Sequence, residues 1–161
     1  MKKNKLIIVM GVSGCGKSTI GKAIAESLGV QFYDGDDFHP KENITKMESG
    51  KPLNDLDRIP WLESINLFSN EKIKETSIVI ACSALKEKYR EILARNINIK
   101  FVYLKGSPQL ILERMKNRAG HFMPPDLLDS QFKDLEEPLN AITVEINKSV
   151  EEIINQILIQ I

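Results

Sequence analysis

The stretch from residue 6 to residue 28 constrains the fold of this chain more than any other. Five apolar residues, Leu6–Met10, lead into Gly11-Val12-Ser13-Gly14-Cys15-Gly16-Lys17-Ser18, and a helical pattern then runs from Lys17 to Leu28. The eight residues fit the spacing GxxxxGK[ST] in full, and they stand between a strand and a helix, the context that makes this spacing a phosphate cradle. Glycines let the backbone curl with its N–H groups turned inward around phosphate oxygens. The helix beginning near Gly16 adds its positive end. Lys17 neutralises charge on the β- and γ-phosphates, and the hydroxyl of Ser18 suits Mg²⁺. The candidate nucleotide-binding residues are therefore Gly11, Ser13, Gly14, Cys15, Gly16, Lys17, Ser18 and Thr19.

The rest of the chain extends this start into an α/β pattern. Short apolar runs at 31–33, 77–82, 99–104 and 142–146 predict four more strands. Helical patterns at 86–95, 108–116 and 150–159 alternate with them. Continuous apolar strands separated by helices imply a five-stranded parallel sheet with helices on both faces. Two segments break the alternation. Residues 40–75 carry helical patterns at 41–49 and 61–72, and residues 118–138 hold Arg118, Gly120, His121 and a Pro124-Pro125 pair. Ligands of open α/β sheets bind at the carboxyl ends of the strands, so both insertions are expected to flank the cleft. With 161 residues, the whole chain, 1–161, suits one domain.

Charge narrows the partners. Lys plus Arg and Asp plus Glu are equal at 22 each, which leaves no electrostatic footprint for nucleic acid or an anionic membrane. Cys15 and Cys82 are the two cysteines and make neither a metal motif nor a disulfide framework. The basic and then apolar start is too short for a secretory signal and runs straight into the glycine loop. No stretch reaches membrane-spanning length. These features predict a cytoplasmic protein.

Three kinds of nucleotide-binding protein compete. A GTPase switch needs a guanine-reading NKxD, and neither Asn4-Lys5 nor Asn147-Lys148 has the aspartate. A motor ATPase needs an aspartate ending an apolar strand, but the third strand leads into Ser83 and Ala84. A small-molecule kinase needs a second carboxylate loop, and Tyr33-Asp34-Gly35-Asp36-Asp37 supplies it. Carboxylates two apart in extended chain point the same way. Asp36 is the candidate general base and contact for the acceptor hydroxyl, and Asp34 the candidate metal residue beside Ser18. The catalytic residues expected from these arguments are Lys17 and Asp36.

The motifs Asp34-Gly-Asp-Asp-Phe-His39-Pro, Asn43-Ile-Thr-Lys-Met47, Gly50-Lys-Pro-Leu-Asn-Asp55 and Asp57-Arg-Ile-Pro-Trp-Leu62 resemble the gluconate kinase (gluconokinase) family. So do Ala81-Cys-Ser-Ala-Leu-Lys86 with Tyr89-Arg90, Tyr103-Leu-Lys-Gly106, Arg118-Ala-Gly-His-Phe-Met123, Ser130-Gln-Phe132 and Leu135-Glu-Glu-Pro138. The resemblance implies a P-loop kinase fold with a helical substrate-binding insertion and a short lid. It implies transfer from ATP, with Mg²⁺, to the C6 hydroxyl of D-gluconate, and a homodimer. A carboxylate substrate calls for guanidinium or ammonium groups, and the candidates are Arg58, Lys86 and Arg90. His39 is a candidate for a sugar hydroxyl, while Trp61 either lines the sugar pocket or anchors a helix to the sheet. Arg114 either stacks on adenine or pairs with a carboxylate one turn away. Arg118 is expected on the transferring phosphate, and Gln131 in fixing the lid or a phosphate-binding arginine. Cys15, at a helix N-terminus, is expected to be a partly activated thiol that ATP shields. The alternatives are a kinase for another hydroxy acid such as shikimate, and a non-catalytic ATP-binding regulator.

Overall fold

The computed structural model describes residues 3–117 and 126–161. Five parallel strands form one sheet in the order β2-β3-β1-β4-β5, comprising β1 (Leu6–Met10), β2 (Gln31–Asp34), β3 (Ile78–Ala81), β4 (Ile99–Lys105) and β5 (Ile142–Glu145). Every residue of β1 has no exposed surface. Its successive side chains point to opposite faces, so both faces of the sheet are covered at its centre. Leu6 pairs with Ile78 on one side and with Ile99 on the other. The chain thus leaves β1 toward β3 and β2 in one direction and toward β4 and β5 in the other. The crevice at the carboxyl end of β1 is the switch point where open parallel sheets bind ligands.

Among the described residues seven α-helices accompany the sheet: α1 (Lys17–Leu28), α2 (Lys41–Glu48), α3 (Asp55–Lys72), α4 (Glu87–Leu93), α5 (Pro108–Lys116), α6 (Asp126–Asp134) and α7 (Val150–Leu158). A single 3-10 turn, Gly35–Phe38, follows β2. The core is one continuous apolar cluster that takes in all five strands and α1, α3, α4, α5, α6 and α7. Met47 and Leu53 make a small separate cluster with Ile44 under α2.

Strand and helix positions follow the sequence pattern closely, with two differences. First, α3 begins at Asp55, six residues before the expected 61. Asn54 Oδ1 accepts from the Asp57 N–H at 2.8 Å, and Asp57 Oδ2 accepts from the Asn54 N–H at 2.9 Å. This reciprocal capping box starts the helix, which then runs through Pro60. Proline removes one helical N–H and normally breaks a helix interior. Here Pro60 and Leu56, whose carbonyl loses its helical donor, both lie on the exposed side of the helix, where water can take that donor's place. Second, the segment before Leu135 holds helix α6, which the proline pair and glycine in the second insertion obscured.

Candidate active site

The P-loop curls as its glycines require. Gly11, Gly14 and Gly16 have φ of 148°, 83° and 97°. A Cβ on Gly11 would stand 2.7 Å from Cys15 Sγ and 2.9 Å from the Leu104 carbonyl oxygen, so a side chain there is excluded by space as well as by φ. Lys17 Nζ donates to the carbonyls of Gly11 at 3.1 Å and Val12 at 3.0 Å. The lysine therefore lies over the mouth of the loop that it closes. The Ser13 N–H donates to Gln131 Oε1 at 2.7 Å, a tie of 118 residues in sequence that seats α6 on the P-loop. Thr19 is exposed in the first turn of α1, and Ser18 and Gly16 are half-buried.

Cys15 corrects one expectation. Its side chain is buried, and burial pushes the thiol above its ordinary value, outweighing the lowering by nearby Lys17. A buried, protonated thiol is unreactive, so Cys15 is a packing residue of the loop and no activated nucleophile. Cys82 is likewise buried, and its thiol is pushed up to about 12.

The carboxylate loop lies at the end of β2 beside β3. A Cβ on Gly35 would stand 2.4 Å from the Ala81 carbonyl oxygen, so glycine is what lets the loop approach the neighbouring strand. Asp34 Oδ1 accepts from the Asp36 N–H at 2.9 Å, and Ser18 Oγ stands 3.5 Å from Asp34 Oδ2. Asp34 and Ser18 thus meet as expected, a pair of hard oxygen donors at the helix that carries Lys17. Asp36 has half its side chain open to solvent. The surrounding walls still desolvate its carboxyl and push it above the usual carboxylate range; Lys17 opposes this, and Asp34 and Asp37 add to it.

His39 and Trp61 form the next layer. Their rings stack at 4.0 Å with an angle of 15°, and the Trp61 indole N–H donates to the Gly35 carbonyl at 2.7 Å. Trp61 therefore anchors α3 to the carboxylate loop while forming the floor under His39. Burial and then the Arg58 charge pull the His39 pKa down to about 4, so the imidazole is neutral at neutral pH. Its Nε2 stands 3.9 Å from Asp36 Oδ1.

Arg58, one turn before Trp61, is buried. Its Nη1 donates to Tyr89 Oη at 2.9 Å and to Asp134 Oδ2 at 3.2 Å. Lys86 Nζ donates to Asp55 Oδ1 at 3.2 Å and lies 4.0 Å from Asp134 Oδ1. Arg58, Lys86, Asp55, Ser130 and Asp134 line a cleft of about 330 Å³. Asp55 also accepts from Lys88 and from the Tyr89 hydroxyl, and these partners hold its carboxyl well below the usual carboxylate range. Burial first, and then Asp55, push the Tyr89 hydroxyl up to about 12, which keeps it a donor.

Arg90 does not join that cleft. Its side chain is buried, and it donates to the carbonyls of Ala84 at 2.7 Å and Glu136 at 2.8 Å, with Glu87 Oε2 at 3.3 Å. Ala84 sits in the left-handed region at φ 46°, a strain of the kind that tends to cluster at functional loops. Arg90 clamps the loop that leads to Lys86. Arg114 Nη2 donates to the Ile146 carbonyl at 2.8 Å, and among the described residues no carboxylate one turn away pairs with it. It ties α5 to the turn at 147–149. Arg118 and His121 lie outside the described residues.

Asn43, Asp55, Tyr89 and Asp134 belong to the site, and sequence reasoning gave none of them a role. The first three stand inside the quoted motifs, which was the available signal; Asp134 had none.

The shikimate kinase family model matches residues 13–161. A protein of Dictyostelium discoideum named probable gluconokinase is 49% identical over 97% of this chain and 86% of its own length. The thermosensitive gluconokinase of Escherichia coli (strain K12) is 46% identical over 92% and 83%. Among solved structures, a gluconokinase from Sinorhizobium meliloti 1021 superimposes with a TM-score of 0.85 at 43% identity, covering 99% of this chain and 92% of the other.

Proposed function

Since the chain belongs to the gluconokinase family, within the wider shikimate kinase family of P-loop proteins, we propose that it transfers the γ-phosphoryl group of ATP to the C6 hydroxyl of D-gluconate, giving 6-phospho-D-gluconate and ADP. The observation that carries the choice of acceptor is the buried guanidinium of Arg58 beside Lys86 in a cleft. Of the two, Arg58 lies close enough to His39 to lower its pKa, and His39 Nε2 stands 3.9 Å from Asp36 Oδ1. A sugar acid needs a cationic grip for its carboxylate at one end and a base for its hydroxyl at the other.

The P-loop N–H groups and Lys17 bind the triphosphate. Ser18 and Asp34, 3.5 Å apart, fit Mg²⁺ as hard oxygen donors. Among the described residues no cluster of three or more His, Cys, Asp or Glu could hold a metal alone, and Mg²⁺ bound with a triphosphate needs no such cage. When bound, the ion neutralises charge on the β- and γ-phosphates. Arg58 and Lys86 hold the gluconate carboxylate, His39 contacts a hydroxyl, and Asp36 takes the proton from the attacking oxygen. Arg90 serves by holding the loop that carries Lys86. The transition state is loose, so positioning and charge stabilisation outweigh base strength. In this reading Lys17 and Arg118 stabilise the transferring phosphoryl group, Arg114 helps bind adenine, and the 118–138 segment acts as a lid over a single domain.

Among the described residues no helix is long and apolar enough to cross a membrane. We place the enzyme in the cytoplasm, where ATP is supplied and both thiols stay reduced. The homodimer implied by the resemblance is part of this reading, and the sedimentation mass of the pure chain tests it. An ADP-release assay across gluconate, shikimate, glycerate and AMP tests the reaction itself. Turnover with gluconate well above the other three is expected. Preference for shikimate would replace the acceptor, and no ADP release with any of them would replace the enzyme by a nucleotide-binding regulator.

A further inference from the structure

The carboxylate loop leads into one imidazole, His39, whose proton the structure places. Asn43 is buried on α2, and its amide nitrogen lies 2.9 Å from the Asp57 carbonyl oxygen and 3.1 Å from His39 Nδ1. A backbone carbonyl only accepts, so the amide atom facing it must be the nitrogen and not the oxygen. That nitrogen turns its second N–H to Nδ1, which must therefore accept and carry no proton. The ring hydrogen then sits on Nε2. Stacking on Trp61 fixes the plane of the ring, and only 3% of the His39 side chain is exposed. The 3.9 Å between Nε2 and Asp36 Oδ1 is too long for a direct hydrogen bond. A single oxygen can nevertheless stand about 2.8 Å from both.

We propose that Asn43 is a positioning residue for the transfer: it holds His39 as a fixed Nε2–H donor, so that the acceptor hydroxyl accepts from His39 and donates to Asp36. The tautomer stands by itself; the identity of the hydroxyl rests on the functional reading above. The arrangement gives the reaction a direction. As the bond from the hydroxyl oxygen to the γ-phosphorus forms, the bond to the leaving ADP oxygen breaks and ADP departs with its electron pair. The hydroxyl proton goes to Asp36, because the one unprotonated nitrogen of His39 is already engaged by Asn43. The charged groups facing the ring are Asp36 from the 3-10 turn and Arg58 from α3. Arg58 and burial oppose a positive ring, and Asp36 favours one.

The chain has two histidines, so ¹⁵N-histidine labelling shows two imidazoles, and His39→Gln identifies the one at issue. In the wild-type chain at pH 6–8, Nδ1 should resonate as an unprotonated nitrogen and Nε2 as a protonated one. Addition of gluconate should shift Nε2. A protonated Nδ1, an averaged pair, or an Nε2 unmoved by saturating gluconate would overturn the inference. Asn43→Asp replaces the donor by an acceptor and should draw the proton to Nδ1. Its kcat with gluconate should fall about 10- to 100-fold, with the KM for ATP within about twofold. An unchanged kcat in a folded Asn43→Asp chain whose tautomer has moved would also overturn it. The wild-type spectra decide the matter even if that variant does not fold. Nδ1–H with gluconate turnover intact defeats this inference alone, whereas Nε2–H in a chain that leaves gluconate untouched defeats the functional reading and, with it, the identity given to the hydroxyl.

Discussion

At the scale of single residues, the site divides by how far apart its partners lie in sequence. The meeting of Lys17, Ser18, Asp34 and Asp36 around one loop mouth is legible because the two motifs that carry them are local in sequence. Tyr89 meets Asp55 across 34 positions and Asp134 meets Arg58 across 76, and no local pattern announces such pairs. Arg90 misled because a cation near a cleft and a cation clamping a loop have the same sequence appearance. Asp36→Asn should lower turnover by about 10²–10⁴-fold and leave the KM for ATP little changed; steady-state kinetics with both substrates varied will read this, and near-normal turnover removes the base role. Arg58→Ala should raise the KM for gluconate about 10- to 100-fold, the worth of a charge-assisted hydrogen bond, and leave that for ATP nearly fixed. His39 supplies a stability test. Its pKa is about 4 folded against 6.5 ordinarily, so between those values the unfolded chain binds more protons. Stability attributable to His39 is therefore fully present above pH 6.5, falls as pH drops, and is lost by pH 4, about 3 kcal/mol in all. Urea midpoints of wild type and His39→Gln across pH 4–7 should differ by that slope.

At the scale of elements, all five strands and the helices at 17–28 and 108–116 stand where apolar runs and periodicity put them, because a parallel sheet buried on both faces leaves an unmistakable apolar record. The sequence pattern predicts helix α3 only from 61, while the helix begins at Asp55. Its first turns carry Asp55, Asp57 and Arg58, their apolar Leu56 and Ile59 are exposed, and Pro60 follows, so the buried apolar face begins only at Trp61. The capping pair Asn54 and Asp57 was the signal that outranked the proline. Asn54→Ala should cost about 1 kcal/mol, seen as a lower thermal midpoint. Because Arg58 lies in the turn that the cap starts, the same variant should also weaken gluconate binding more than ATP binding. A variant with lowered stability but unaltered gluconate KM would show that the cap and the cleft are independent.

At the scale of the whole molecule, the strand order puts the P-loop at the fork of the sheet, and α6 spans from it to the acid cleft. Gln131 holds the Ser13 N–H and Asp134 holds Arg58; the two lie three apart, on one side of the helix. Binding at both sites should stabilise the native state. A non-hydrolysable ATP analogue with Mg²⁺ at 100 times its Kd adds about 2.7 kcal/mol, roughly 5–10 °C in Tm for a chain of this size, and gluconate should add further to it. A calorimetric scan unmoved by either ligand would contradict the two-pocket reading. The Asp134 contact has its own consequence. In the proposed reading, a sugar acid arriving at Arg58 meets a seat already taken by a tethered tenant. Entry is an eviction, and small stray anions lack the further contacts that would make eviction worthwhile. The tenant is fastened to the same rod that steadies the triphosphate loop, so the arrival of one guest is felt where the other is received.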